Sequence, residues 1–267
     1  MRHMHREAHS HKGENGKVCI IGGARSMHGA PLLAALAAEA SGVDLLYVFV
    51  PPAHEEAAKN ASFNFQVRTF REDELSSDDT GPVLQMLASM DSAVIGPGLS
   101  RRPETLSAIE QIISGAPCPL VLDASALQTG TLALVAGRGA VLTPHLGELE
   151  RMGIAQEDVA QRASASGSTF IIKGETDLIC GPDGELHEST GGNAGLTVGG
   201  TGDALAGLIA GLMAQRMPPA EAALLASKTI KRAGEMLSEQ QGYAYTAREV
   251  IELIPFILHS FDDDQTS

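Results

Sequence analysis

The chain predicts an α/β fold, a doubly wound and mostly parallel sheet with helices on both faces. Three observations predict it. Short runs that are apolar throughout recur along the sequence, the pattern of strands covered on two sides. Amphipathic segments suited to crossover helices separate them. Turns bearing glycine, proline and aspartate follow the apolar runs, and ligands in such sheets sit at the carboxyl ends of the strands.

Lys17 to Gly22 reads as a buried strand, and Ala30 to Ser41 as a helix with Pro31 suited to its first turn. Leu45 to Val50 is the next strand. Further apolar runs stand at Ala93 to Ile95, Leu120 to Leu122, Val141 to Leu142 and Phe170 to Ile172. The amphipathic segments Pro82 to Ser89, Pro103 to Ser114 and Gln156 to Ser166 supply crossover helices. After Lys173, Asp177 to Cys180 and Glu185 to Glu188 flank the turn Gly181-Pro182-Asp183-Gly184 and form a hairpin. Three helices close the chain: Ala204 to Gln215, Pro219 to about Glu239, and one that Thr246 and Glu249 open as a capping box.

The 267 residues, 43% of them hydrophobic, suffice for a sizeable core. A single domain is expected over 17–260, between a flexible tail at 1–16 and a frayed end at 261–267. His3, His5, His9 and His11 belong to that tail and read as solvated. A formal charge of −14, from 33 acids against 19 bases, argues against nucleic acid as a partner. No apolar run is long enough to cross a membrane. Cys19, Cys118 and Cys180 form no paired framework, and the expected location is a reducing cytoplasm.

The most informative stretch is Gly191-Gly192-Asn193-Ala194-Gly195-Leu196-Thr197-Val198-Gly199-Gly200-Thr201-Gly202-Asp203. Glycines let the backbone approach a ligand, and the helix that follows adds unpaired N–H donors and a positive dipole end. Phosphate is the expected occupant. From spacing alone, Asp203 is either a helix cap or a carboxylate that handles a proton or holds magnesium. Neither a GxxxxGK[ST] loop nor a strand–GxGxxG–helix unit is present.

Gly200-Thr201-Gly202-Asp203 resembles the GxGD signature of the ribokinase-like superfamily, and the surrounding blocks resemble a narrower family within it. His11-Lys12-Gly13 with Gly16-Lys17-Val18, Ile20 to Ala24 with Gly29-Ala30-Pro31, Ile95-Gly96-Pro97-Gly98-Leu99, Leu142-Thr143-Pro144-His145-Leu146-Gly147-Glu148 and Lys173-Gly174 are similar to the ADP- or ATP-dependent NAD(P)H-hydrate dehydratases. The resemblance runs from about His11 to about Leu258.

It implies a ribokinase-like fold and repair of hydrated NADH and NADPH, with ADP or ATP as phosphoryl donor and Mg²⁺ on the phosphates. Asp203 is then the catalytic base, held ionised by its place at a helix start. Gly200, Thr201 and Gly202 form the anion hole. Lys173, Gly174, Glu175, Thr176 and Asp177, with Gly202, take the nucleotide. Ala30, Gly96, Gly98, His145 and Asp203 take the dinucleotide, and Glu148 orients its turn or reaches the metal through water. The family also implies a homo-oligomer, and an epimerase that is a separate protein or part of a longer natural chain.

The chain departs from the family at several points: Ser125 replaces a second Asp, Ala194 and Leu146 replace prolines, and 173–177 is more acidic than usual. A ribokinase-type kinase of a sugar or vitamin alcohol, and a nucleotide-binding regulator without turnover, are the alternative readings.

Overall fold

Every side chain of the strand Lys17–Ile21 (β1) after its first is fully buried, with Val18 and Ile20 facing one apolar cluster and Cys19 and Ile21 another. A strand can do this only with helices packed on both sides, which is why the run is apolar throughout. The computed structural model describes residue 6 and residues 9–263. In chain order it continues with helix α1 (Gly29–Ala40), β2 (Leu45–Val50), α2 (Glu55–Ala61), β3 (Phe65–Thr69), α3 (Ser77–Leu87), β4 (Ser92–Ile95), α4 (Pro103–Gly115) and β5 (Leu120–Leu122). There follow α5 (Thr131–Leu134), β6 (Val141–Leu142), α6 (Leu146–Arg151), α7 (Val159–Ser166), β7 (Thr169–Ile172), β8 (Asp177–Cys180), β9 (Leu186–Ser189), α8 (Thr201–Ala214), α9 (Pro219–Gln241) and α10 (Ala247–Asp263).

The sheet order is β3-β2-β1-β4-β5-β6-β7-β8-β9, parallel through β7 and antiparallel for the closing hairpin. One core cluster lies beneath α1, α8, α9 and α10, the other beneath α3, α4 and α7. Among the described residues, no helix is long and apolar enough to cross a membrane.

The apolar-run reading finds the covered strands and misses β3, whose Gln66, Arg68 and Thr69 leave it half exposed at the sheet edge. It also starts α3 too late. Asp79 accepts the Ser76 N–H at 2.9 Å and the Arg71 N–H at 2.8 Å, opening the helix one turn before Pro82. Thr246 and Glu249 do form the cap expected of them, with N–H bonds of 2.8 and 3.3 Å. The described part of the expected tail is tethered: Gly13 and Asn15 N–H donate to Asp44 at 2.8 and 3.1 Å, and Arg6 pairs with the same carboxylate. Residues 1–5, 7–8 and 264–267 lie outside the described residues, so the tail histidines His3 and His5 and most of the frayed end do too.

α8 is the pillar of the fold, buried from Ala204 to Ala214. It meets α1 backbone to backbone: a Cβ added at Gly207 would sit 1.9 Å from Ala34 O, and one at Gly211 would sit 2.1 Å from Ser41 Oγ. Gly207→Ala therefore forces the helices apart, with an expected loss of roughly 1–3 kcal/mol in denaturant unfolding. Gly81→Ala, on α3 where a Cβ meets nothing within 4 Å, is expected to gain about 0.5–1 kcal/mol instead. Two shifts of the same sign would show that helix spacing is not what Gly207 sets.

Candidate active site

Three adjacent strands end in polar side chains that converge. Asp123 follows β5, Thr143 to Glu148 follow β6, and Lys173 follows β7. Lys173 N–H donates to Pro144 O at 2.9 Å, which carries the β6–β7 pairing past the strand ends and draws Lys173 under the His145 turn. Its ammonium donates to Asp123 Oδ1 at 2.7 Å and stands 3.6 Å from Glu148 Oε2. The Thr143 hydroxyl donates to the same Asp123 oxygen at 2.8 Å. Burial alone pulls the Lys173 ammonium down, but Asp123, Glu148 and Asp203 outweigh it and hold the lysine above its ordinary value.

His145 opens α6. Its Nδ1 accepts the Glu148 N–H at 3.2 Å, while Glu148 Oε2 accepts the His145 N–H at 3.0 Å. This reciprocal cap orients the turn, one of the two roles expected of Glu148, and leaves the His145 ring more than half exposed. The other expected role, reaching a metal's water shell, meets a carboxylate whose Oε2 is already engaged.

The glycine-rich stretch delivers α8 to the same place. Gly200 precedes the helix at φ 103°, and a Cβ there would lie 2.2 Å from Leu33 Cδ1, so both conformation and space require glycine. Thr201 donates its hydroxyl to Leu196 O at 2.8 Å. The first intrahelical bond runs from Ala204 N–H to Gly200 O at 2.9 Å, so the Thr201, Gly202 and Asp203 amides belong to the unpaired first turn. Lys173 Nζ lies 3.5 Å from where a Gly202 Cβ would stand.

Asp203, in that first turn, is not held ionised as its helix position predicts. Its carboxyl is pushed up to about 7 by burial first, then by the Asp123 carboxylate; Lys173 pulls the other way and Glu148 adds a further rise. Desolvation and two like charges outweigh the helix dipole, whose effect is small by comparison.

These groups line one cavity of about 1240 Å³. Its walls are the loop 173–177, the glycine-rich stretch from Thr190 on and the start of α8. Of the residues singled out in the sequence, His145, Glu148, Lys173 to Asp177 and Gly200 to Asp203 line it. Ala30, Gly96 and Gly98 lie outside that lining. A Cβ at Gly96 would fall 1.8 Å from Asp123 O, and one at Gly98 would fall 3.3 Å from Ala30 Cβ. Ala30 and Gly98 pack the junction between β1 and β4, where Gly23 N–H donates to Pro97 O at 2.8 Å, and Gly96 packs against the end of β5. Ala124, at φ 51°, holds a left-handed conformation in the cavity wall. Lys231 also lines the cavity and escaped the search for binding residues, because nothing in a long helix of mixed composition marks it.

The cavity fits a nucleotide, since first-turn amides and glycine backbone can meet phosphate oxygens there. Among the described residues, no cluster of three His, Cys, Asp or Glu forms a metal cage. The donor set instead fits a magnesium ion carried on nucleotide phosphates and water.

A family model described as NAD(P)H-hydrate dehydratase matches residues 18–256. The ADP-dependent (S)-NAD(P)H-hydrate dehydratase of Cenarchaeum symbiosum is 35% identical over 96% of this chain and 93% of its own. Among solved structures, a ribokinase-like superfamily protein from Enterococcus faecalis superposes with a TM-score of 0.84 at 24% identity, over 97% of this chain and 92% of that one, and shows the ribokinase-like fold. The ADP/ATP-dependent NAD(P)H-hydrate dehydratase of Bacillus subtilis, co-crystallised with ATP/Mg²⁺, gives 0.82 at 26% identity over 96% and 94% of the two chains. Matched by that family model along most of its length and 35% identical to a dehydratase over 96% of it, the chain belongs to the NAD(P)H-hydrate dehydratase family.

Proposed function

We propose that this chain restores hydrated NADH and NADPH, with ADP or ATP as phosphoryl donor. The hydroxyl on the hydrated nicotinamide ring attacks the terminal phosphorus of the nucleotide, its proton passes to Asp203, and the bridging P–O bond breaks to release AMP from ADP or ADP from ATP. The phosphate ester then loses phosphate from one ring carbon and a proton from the next, and the ring double bond returns. Phosphorylation converts a poor leaving group into a good one. The observation that carries the reading is the Asp203 carboxyl, pushed up to about 7, among the unpaired amides of the first turn of α8 in the wall of the cavity.

Asp203 holds the proton at its carboxylate, and the amides of Thr201 and Gly202 face the charge that develops on the transferred phosphoryl oxygens. A magnesium ion, when bound, neutralises part of that charge. The loop 173–177 holds the nucleotide, and His145 orients the dinucleotide from the exposed rim. Lys173 serves Asp123 and Glu148 as well as the nucleotide, a heavier duty than its sequence position suggests. The direct assay is recovery of reduced-nicotinamide absorbance from the hydrate with ADP and with ATP. Recovery is expected, and its absence with both nucleotides would overturn the proposal.

Because the base must be ionised, kcat/KM is expected to rise with pH through about 7 and then level. Asp203→Asn should lose that limb and at least about a hundredfold in turnover while still binding nucleotide. The same carboxyl carries a stability signature. The unfolded chain releases this proton near 4, roughly the ordinary Asp value. The native protein keeps it to about 7, so native stability falls as pH rises between the two. The melting temperature of Asp203→Asn should therefore climb relative to wild type from pH 5 to pH 8. A constant offset would place the residue in water.

His145→Asn retains a capping side chain and removes the ring. It is expected to raise KM for the hydrated dinucleotide more than KM for ADP. Equal increases, read from initial rates with each ligand varied in turn, would assign the histidine to the turn alone.

A further inference from the structure

Lys231 stands on α9, outside every motif of the sequence, and is 6% exposed. Its ammonium donates to Glu175 O at 2.7 Å and Gly174 O at 3.4 Å, with Asp177 Oδ1 3.8 Å away. Asp177 is fixed in turn, accepting the Gly174 N–H at 2.9 Å and the Ser227 hydroxyl at 2.6 Å. One turn further along α9, Glu235 Oε1 accepts the Gly192 N–H at 3.0 Å. Gly234 O accepts Asn193 Nδ2 at 2.7 Å. Ser227, Lys231 and Glu235 are spaced i, i+4, i+8 and make one stripe along the helix. The loop 173–177 hangs from its first two members and the glycine-rich loop from its last, and these loops are the two walls of the cavity.

Burying a lysine is costly, and a core built for stability alone has cheaper apolar solutions. What this lysine fixes is direction. In a planar trans peptide the N–H points opposite the C=O. Gly174 and Glu175 carbonyls turned toward Lys231 therefore set the Glu175 and Thr176 amides on the far side of the loop, away from α9.

We propose that Lys231 is a positioning residue for the nucleotide: it sets the shape of the 173–177 loop, and the α9 stripe fixes the gap between that loop and the glycine-rich one. The inference rests on the cavity being the nucleotide site. Its test is calorimetric titration with ADP, and initial rates, for wild type, Lys231→Met and Lys231→Arg. Lys231→Met is expected to raise both Kd and KM for the nucleotide by about tenfold or more, as losing a charge-assisted hydrogen bond implies. kcat at saturating nucleotide and KM for the hydrated dinucleotide should move far less. Lys231→Arg, which keeps charge and donors, should recover most of the loss. If Lys231→Met does not fold, Lys231→Met/Asp177→Asn removes both buried charges together and is expected to show the same nucleotide-specific shift. Wild-type nucleotide affinity in a folded variant overturns the inference, and so does an equal decline in kcat and in both affinities. Failure of the wild-type protein to bind ADP or ATP overturns the underlying reading and the inference with it.

Discussion

The Lys173 ammonium holds the polar cluster of the candidate site together. Three carboxylates, from Asp123, Glu148 and Asp203, converge on it where three strands and a helix meet. Without a cation among them, desolvation and mutual repulsion would drive these groups to protonate or the loops to part. Its closest tie, at 2.7 Å, goes to Asp123, and Asp203 is left short of charge compensation. The imbalance pushes the Asp203 carboxyl up to about 7, as the base proposed for the reaction requires. A lysine at this strand end therefore neutralises its own protein before it meets any ligand.

The placement of that cluster depends on backbone packing. α8 can bring its first turn beside Lys173 because Gly207 and Gly211 let it lie against α1. At the other end of the site, Gly96 allows the β4 turn to touch the carbonyl of Asp123. Glycine thus acts twice here as a spacer between backbones.

Much of this was legible in the sequence. Continuous apolar runs marked the covered strands, the Gly181 to Gly184 turn marked the hairpin, and the glycine-rich stretch ending in Asp203 marked the ligand end of the sheet. β3 escaped because an edge strand is only half apolar. The ionisation of Asp203 escaped because the dipole of its own helix is local and visible, whereas the carboxylates that oppose it are 80 and 55 residues away in sequence. Ser125 shows the limit of reading a departure as a loss. Its hydroxyl donates to Leu99 O at 2.6 Å, a bond that an ionised carboxylate could not make. Lys231 had no local signal at all, since its partners come from a loop more than 50 residues earlier.

The buried course of α8 implies a gradient of persistence across the site. Ala204 to Ala214 exchange their amide protons chiefly when much of the domain opens, because every residue of that span is buried. Gly174, Glu175, Gly191, Ala194 and Gly199, on the facing loops, are exposed, and local opening suffices to exchange them. Asp203 occupies the seam between that buried helix and the exposed loops. Its aim is set by the helix, while the loops are held by a small set of hydrogen bonds to α9 that can break without disturbing the core.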